Sequence, residues 1–356
     1  MTNVSAVDLR KKVWYYRSIE ISSNRKKVAA MATISDVAKR SGLSKTTVSR
    51  VINNYPHVTP EKREKVLKAM EELAYTPSPA ARRMRGQLKS SIGIIVTRIT
   101  NPFFTYLVDA IEQLAYKKGY QVMVFQSNDD REKELKYLSL LKTKQVDGII
   151  LAATVNEWET IEPFTEYGPI VFCNEFIKGT GLPTVRLDEV GASYEGMMHL
   201  IGRGHTKIAY CTGGVLEGNE RNIGFQRALK EAGIDLNLQW IFLNKYNIDG
   251  GKQVVRAMLR MDDRPTAVFA GGDEVAAGII LEAKEAGLRI PEDLAVIGFD
   301  DQPLAELLDP KLTTIRQPVK QMGEEALENM ITALNSGSVK NADRILSAEL
   351  VVRQTT

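Results

Sequence analysis

The chain is short of the residues on which most site chemistry is built. Its 356 residues include two cysteines and three histidines, too few for a disulfide framework or a zinc-type ligand set. Cys173 and Cys211 each lie in an apolar run, IVFCN and IAYCT, and read as small buried hydrophobes in a reducing compartment. No apolar run reaches the roughly 20 residues that a membrane helix needs, and no signal-peptide core opens the chain. A cytoplasmic protein that neither spans nor binds a membrane is the expectation. His57, His199 and His205 have no metal-ligand spacing, and no G-x-S-x-G elbow occurs. Gly213-Gly214 and Gly271-Gly272 follow apolar runs, but neither fits G-x-G-x-x-G. A Walker lysine is missing too, since Asn219-Glu220 follow Gly218. Tight strand-to-helix turns account for both doublets. Neither a catalytic set, a cofactor nor a metal is expected, and the chain does not read as an enzyme.

Negative charge is scarce in one place only. Residues 1–90 carry 19 Lys/Arg against 7 Asp/Glu, whereas the other 266 carry 28 against 37. A basic quarter on an acidic body is the footprint of a polyanion-binding module joined to something else. Within that quarter, TISDVAKRSGLSKTTVSRVINN (33–54) has the pattern of a helix-turn-helix. Thr33 caps a first helix with Asp36 closing the box, Val37 and Ala38 face inward, and Gly42 takes a left-handed turn. Ser44 caps a second helix with Val48, Val51 and Ile52 inside and Lys45, Thr46, Ser49, Arg50 and Asn53 outside. Short and cationic outward side chains suit a helix entering a major groove. Pro60 then opens a third helix to about Leu73, with Val66, Leu67, Met70 and Leu73 as its core positions.

Residues 1–30 are basic, with one aromatic patch at Trp14-Tyr15-Tyr16. They read either as a disordered arm on phosphates or as a preface to translation from Met31, the reading preferred here. Residues 76–91, TPSPAARRMRGQLKSS, set Arg82, Arg83 and Arg85 around one apolar Met84. A plain linker has no reason to concentrate guanidinium groups. A short helix on DNA, with Met84 wedged into minor-groove base steps, does.

From residue 92 strands alternate with amphipathic helices. The strands are expected at 92–97, 120–126, 146–152, 169–174, 207–212, 266–270 and 294–299. The helices are expected at 103–118, 130–143, 189–202, 221–232, 250–261, 273–287 and 318–335. Continuous Val/Ile runs imply parallel strands buried on both faces, and so many units imply two doubly wound α/β lobes. The expected organisation is an all-α helix-turn-helix domain (31–76), a hinge and linker (77–90) and a two-lobe domain (91–356). The first lobe is placed at about 91–187 and 294–317, the second at about 188–293 and 318–356. A ligand between such lobes meets strand ends. That singles out Thr100, Asn101, Phe104, Asn174, Glu175, Arg221 and Asp273, a set suited to a sugar or phosphosugar. The candidate DNA contacts are Thr33, Ser44, Lys45, Thr46, Thr47, Ser49, Arg50, Asn53, His57, Arg82, Met84 and Arg85.

Residues 32–356 resemble the lactose-repressor (LacI-type) family of bacterial transcription regulators. The resemblance is carried by TISDVAKRSGLSKTTVSRVINN, EELAYTPSPAARRMR, NPFF followed by KKGYQVMVFQS, KQVDGII, RGHTKIAY, the R-x-x-G-F of Arg221–Phe225, RPTAVFAGGDEVAAG, LAVIGFDD and LTTIRQP. It implies a periplasmic-binding-protein-like body and a homodimer on a pseudo-palindromic operator of double-stranded DNA. Lys45, Thr46 and Arg50 fall where the family reads bases, and 78–85 becomes the hinge helix. Met84 replaces the family's intercalating leucine. Arg221 and Asp273 fall at effector positions, and Asn174 stands where many members carry aspartate. VVRQTT lacks a trailing leucine heptad, so the resemblance implies a dimer rather than a tetramer. The expected role is an effector-controlled repressor. A transport-type sugar-binding protein gains nothing from residues 33–85, and a Rossmann-type enzyme lacks its catalytic set.

Overall fold

The computed structural model describes residues 32–52, 55–75, 90–213, 219–337 and 343–356. The 1–30 extension, Asn53 and the hinge residues Arg82, Met84 and Arg85 lie outside them. The chain divides into two compact units, through Leu88 and from Lys89 onward.

In the first unit, α1 (Ile34–Ser41), α2 (Lys45–Ile52) and α3 (Pro60–Glu72) enclose a small core of Val37, Ala38, Val48, Val51, Val66 and Ala69. Leu67, expected inside, is 54% exposed, and Ala69 takes the inward place. The spacing Val66, Ala69, Met70, Leu73 keeps the inward side chains on one helical stripe, from which Leu67 falls away. An Arg40–Glu72 ion pair at 2.5 Å ties α1 to α3.

The second unit begins with β1 (Ser91–Val96), α4 (Pro102–Lys118), β2 (Gln121–Gln126), α5 (Arg131–Lys142) and β3 (Gly148–Leu151). There follow α6 (Trp158–Ile161), β4 (Ile170–Cys173), β5 (Thr184–Leu187), α7 (Glu189–Gly202), β6 (Ile208–Cys211), α8 (Glu220–Glu231), β7 (Ile241–Phe242) and α9 (Ile248–Met258). The remainder is β8 (Ala267–Ala270), α10 (Asp273–Glu285), β9 (Ala295–Asp300), α11 (Leu304–Leu307), β10 (Thr313–Arg316), α12 (Val319–Ser336), β11 (Asp343–Leu346) and β12 (Glu349–Val351). One sheet runs β11-β5-β4-β3-β1-β2 and is parallel throughout; the other runs β12-β10-β9-β8-β6-β7, with β12 antiparallel to β10. Helices cover both faces of each. In the first lobe α4 and α12 bring Leu107, Ile111, Met322, Leu327 and Met330 to one face, and α5 brings Leu138 and Leu141 to the other. Each such side chain contributes roughly 1.5–3 kcal/mol by leaving water. Because β2 is an edge strand, it is only half buried, unlike the two-face burial expected of QVMVFQ.

The expected lobe boundaries need correction. Strand β9 pairs with β8, Ala267 opposite Ala295, so 294–317 belongs to the second lobe. Helix α12 packs Met322, Leu327 and Met330 into the first core, and β11 pairs with β5. The first lobe is therefore 91–187 with 319–346, and the second 188–317 with 347–356. The chain passes between lobes three times, near Asp188, Gln317 and Ser347. Each βα unit is equally amphipathic wherever it docks, so periodicity does not reveal the sheet it joins.

Gly224 explains part of the R-x-x-G-F pattern. A Cβ there would meet the backbone of α7, with Tyr194 N at 2.9 Å, and the Val190 carbonyl closer still. The glycine thus lets α8 lie against α7 while Phe225 fills the core beside Tyr210, rings 4.7 Å apart. Gly224→Ala should destabilise the unit by about 1–3 kcal/mol through overpacking. Urea unfolding checks this, and an unchanged midpoint would show that α8 shifts freely.

Candidate functional site

In the first unit Thr33 caps α1 reciprocally. Asp36 N donates to Thr33 Oγ1 at 3.4 Å, and Thr33 N donates to Asp36 Oδ2 at 2.8 Å. Gly42 (φ 69°) ends the helix in the left-handed region and sends the chain into the turn. Ser44 Oγ accepts from Thr47 N at 3.1 Å and lies 2.9 Å from Thr47 Oγ1. So Thr33, Ser44 and Thr47, expected as DNA contacts, use their hydroxyls to build the motif.

With Val48 and Val51 buried beneath it, α2 turns Lys45, Thr46 and Arg50 outward. These three make no side-chain hydrogen bond or ion pair among the described residues. Ser49 is half-buried beside them, and with Ile34 and Tyr55 they line a shallow concavity. Tyr55 N donates to Arg50 O at 3.0 Å, and His57 is exposed in the turn before α3. Two cations and two hydroxyls on one rigid helix, with no partner of their own for the outermost three, can exchange water for base edges and phosphates.

The second site is a cavity of about 780 Å³ in the second unit, lined from both lobes. Asn101, Phe104, Asn174, Glu175 and Arg221 come together in it, as expected of strand ends. Asn101 caps α4, accepting from Phe103 N at 3.0 Å, and Asn174 leaves β4 with φ 70°. Arg221 opens α8. Its Nη2 and Nε donate to Glu189 Oε1 at 2.7 and 2.9 Å, its Nη1 donates to Gly271 O at 3.0 Å, and its guanidinium lies 3.7 Å from the Phe299 ring centre. Such stacking leaves donors in a fixed plane beside an aromatic wall.

Two expected residues are placed elsewhere. Thr100 is exposed and does not line the cavity. Asp273 is fully buried, with Gln302 N donating to Oδ2 at 2.6 Å and Thr314 Oγ1 donating to Oδ1 at 2.6 Å. It clamps the end of β9 to β10, and burial beside Asp300 raises its carboxyl well above the usual range. The next residue, Glu274, lines the cavity instead.

The residue reading missed Arg98, Asp129, Phe176, Arg186, Glu189, Tyr246, Asp300 and Gln302. Arg186 sits on β5, whose TVRL run is broken by the arginine itself and so does not register as a strand. It bridges Glu220 at 3.2 Å and Asp343 at 3.3 Å and covers Phe176 at 4.1 Å. Asp300 and Asp301 have φ of 107° and 50°, strained for side-chain-bearing residues, at the end of β9. Burial pushes Asp300 up to about 6 against the pull of Arg221, and burial, then the charge of Glu189, pushes Glu175 up to about 8. Among the described residues no group of three His, Cys, Asp or Glu side chains converges for a metal, and no helix is long and apolar enough to cross a membrane.

Two family models match the chain: bacterial regulatory proteins of the lacI family over residues 33–78, and a periplasmic binding protein-like domain over 197–356. The NTD biosynthesis operon regulator NtdR of Bacillus subtilis (strain 168) is 42% identical over 329 residues, 92% of this chain and all of that protein. A lac repressor dimer solved on operator with the anti-inducer ONPF is 27% identical, with a TM-score of 0.78 over 92% of this chain and 99% of that one. A LacI family regulator from Lactobacillus casei with bound sucrose is 32% identical, with a TM-score of 0.70 over 75% of this chain and 100% of that one. The two-unit fold, the outward face of α2 and these similarities agree: the chain belongs to the lacI family of bacterial regulatory proteins and is a DNA-binding transcriptional regulator.

Proposed function

We propose that this regulator is a dimeric repressor whose operator affinity is set by a small polyhydroxylated molecule, a sugar or sugar derivative, held between the two lobes. The observation that carries this reading is Arg221, fixed by Glu189 and the Gly271 carbonyl over Phe299 on the wall of the 780 Å³ cavity. A planar donor array, carboxyl and amide acceptors, and the aromatic faces of Phe104, Phe176 and Tyr246 suit a ring with many hydroxyls. Related regulators solved with sucrose or cellobiose support the class of ligand. The guanidiniums lining the cleft each have a carboxylate partner, so a phosphate on the sugar would instead be met by Lys178 and Lys245, which also line it.

The mechanism is linkage. A ligand that prefers one arrangement of the lobes shifts the population of DNA-competent dimer, and it does so only by its difference in affinity for the two arrangements. The three passages between lobes are where such a change would be absorbed. The 78–85 segment is the proposed coupling element to DNA, with Arg82, Met84 and Arg85 on the duplex, and the site of action is the cytoplasm. A transport-type binding protein would leave the outward face of α2 without a purpose.

Fluorescence anisotropy on an operator selected from random duplexes tests the reading. Specific binding that changes at least about fivefold with some member of a sugar panel is expected, the low end of ordinary allosteric coupling. Operator binding indifferent to every sugar that stabilises the protein would overturn it.

A further inference from the structure

The outward face of α2 is not wholly polar. Beside Lys45, Thr46, Ser49 and Arg50, its concavity of about 500 Å³ is lined by two apolar side chains, Ile34 from α1 and Tyr55 from just beyond α2. Ile34 is half-buried and rests on the small core beneath it. Tyr55 does not join that core, although Tyr75 does, and it is 54% exposed. Leu67, the other large apolar side chain exposed among the described residues of the first unit, does not line the concavity.

The backbone of Tyr55 is held from two sides. Its N–H donates to the Arg50 carbonyl at 3.0 Å, and Arg63 Nη2 donates to its carbonyl at 3.2 Å. The residue is thus tied to α2 and α3, and only two side-chain torsions remain to be ordered, a low cost for so large a contact surface. Lys45, Arg50 and the hydroxyls of Thr46 and Ser49 answer hydrogen-bonding groups on DNA. An apolar wall answers something else. On the major-groove edges of the base pairs the apolar group is the C5 methyl of thymine. Deoxyribose also offers apolar surface, but it does so at every nucleotide and confers no preference among sequences.

We propose that Tyr55 is a further specificity-determining residue, whose ring, together with Ile34, receives the methyl group of one operator thymine in each half-site. The test replaces each half-site thymine of the selected operator in turn by deoxyuridine, which lacks only that methyl, and titrates the full chain by anisotropy. Burying a methyl is worth about fourfold in affinity, and a dimer does so twice, so one symmetry-related replacement should weaken binding by about 15-fold. Tyr55→Ala should weaken binding to the unsubstituted operator comparably and lose the preference, binding the two duplexes within about twofold of each other. Tyr55→Phe keeps the ring and should retain both the affinity and the preference for the methyl. Random-duplex binding by Tyr55→Ala at the level of the unmodified chain certifies its fold. Should that binding fall, Tyr55→Gln, polar and nearer in size, is read by the same comparison. The proposal is overturned if no thymine methyl matters to the unmodified chain, or if the preference survives removal of the ring. A loss in Tyr55→Phe that is equal on both duplexes overturns it too, and puts the hydroxyl on a phosphate instead.

Discussion

Arg50→Ala should lower operator affinity by at least about 30-fold and leave ligand binding by the second unit unchanged. Arg50 stands on the outward face of α2, exposed, with Val48 and Val51 locking the helix beneath it. A bidentate arginine–guanine contact discriminates by about 1–3 kcal/mol, and a dimer makes it twice. Two losses at the low end of that range give the 30-fold figure. Lys45→Ala makes the contrast. An ammonium on phosphate carries no sequence information, so its removal should weaken specific and random duplexes alike and lower the salt slope by about one per protomer. Arg50→Ala should instead collapse the ratio of specific to random binding with little change in slope. Anisotropy titrations on both duplexes at several salt concentrations separate these outcomes. Equal affinity of the variant and the unaltered protein for operator would remove Arg50 from base reading.

How much of this was legible differs by element, and the reason is range. Thr33, Gly42 and Ser44 act on residues three or four positions away, so caps and turn stand in the sequence as they stand in the fold. The seven expected strands and seven expected helices of the second unit also appear, each within a few residues. Strands β5, β7, β10, β11 and β12 were not expected, because each either spans two or three residues or carries polar or charged residues among its apolar ones, unlike the equally short but continuously apolar β3, β4, β6 and β8. The lobe boundaries failed for a different cause: only pairing such as Ala267 with Ala295 decides which sheet a strand joins. Within the cleft, Asn101, Asn174, Glu175 and Arg221 follow from the rule that ligands meet strand ends. Asp273 satisfies the same rule and still points inward, because Thr314 and Gln302 N lie closer to it than the cavity does. Arg186 and Glu189 were missed since their partners, Glu220, Asp343 and Arg221, lie 32 to 157 positions away.

Arg221→Met should separate stability from response. The guanidinium is 19% exposed and Glu189 23%, so removing Arg221 leaves a largely buried carboxylate and the Gly271 carbonyl without partners. Breaking a fully buried pair costs roughly 3–5 kcal/mol; the opening to the cleft brings the expected loss here to about 2–4 kcal/mol. The double variant Arg221→Met, Glu189→Met removes both charges and keeps apolar volume, so it should be more stable than Arg221→Met alone. That recovery is the signature of the pair as scaffold. Effector response follows another course if Arg221 donates to the ligand. Neither variant should then show a ligand-dependent change in operator affinity, although the double variant is restored in stability and binds operator normally. Urea unfolding and anisotropy with and without the panel sugar measure the two properties on the same samples. A double variant that regains both would reduce Arg221 to a strut for Glu189. Recovery of stability alone would make the same guanidinium both support and ligand contact, its donors divided between the carboxylate that holds it and the molecule that it awaits.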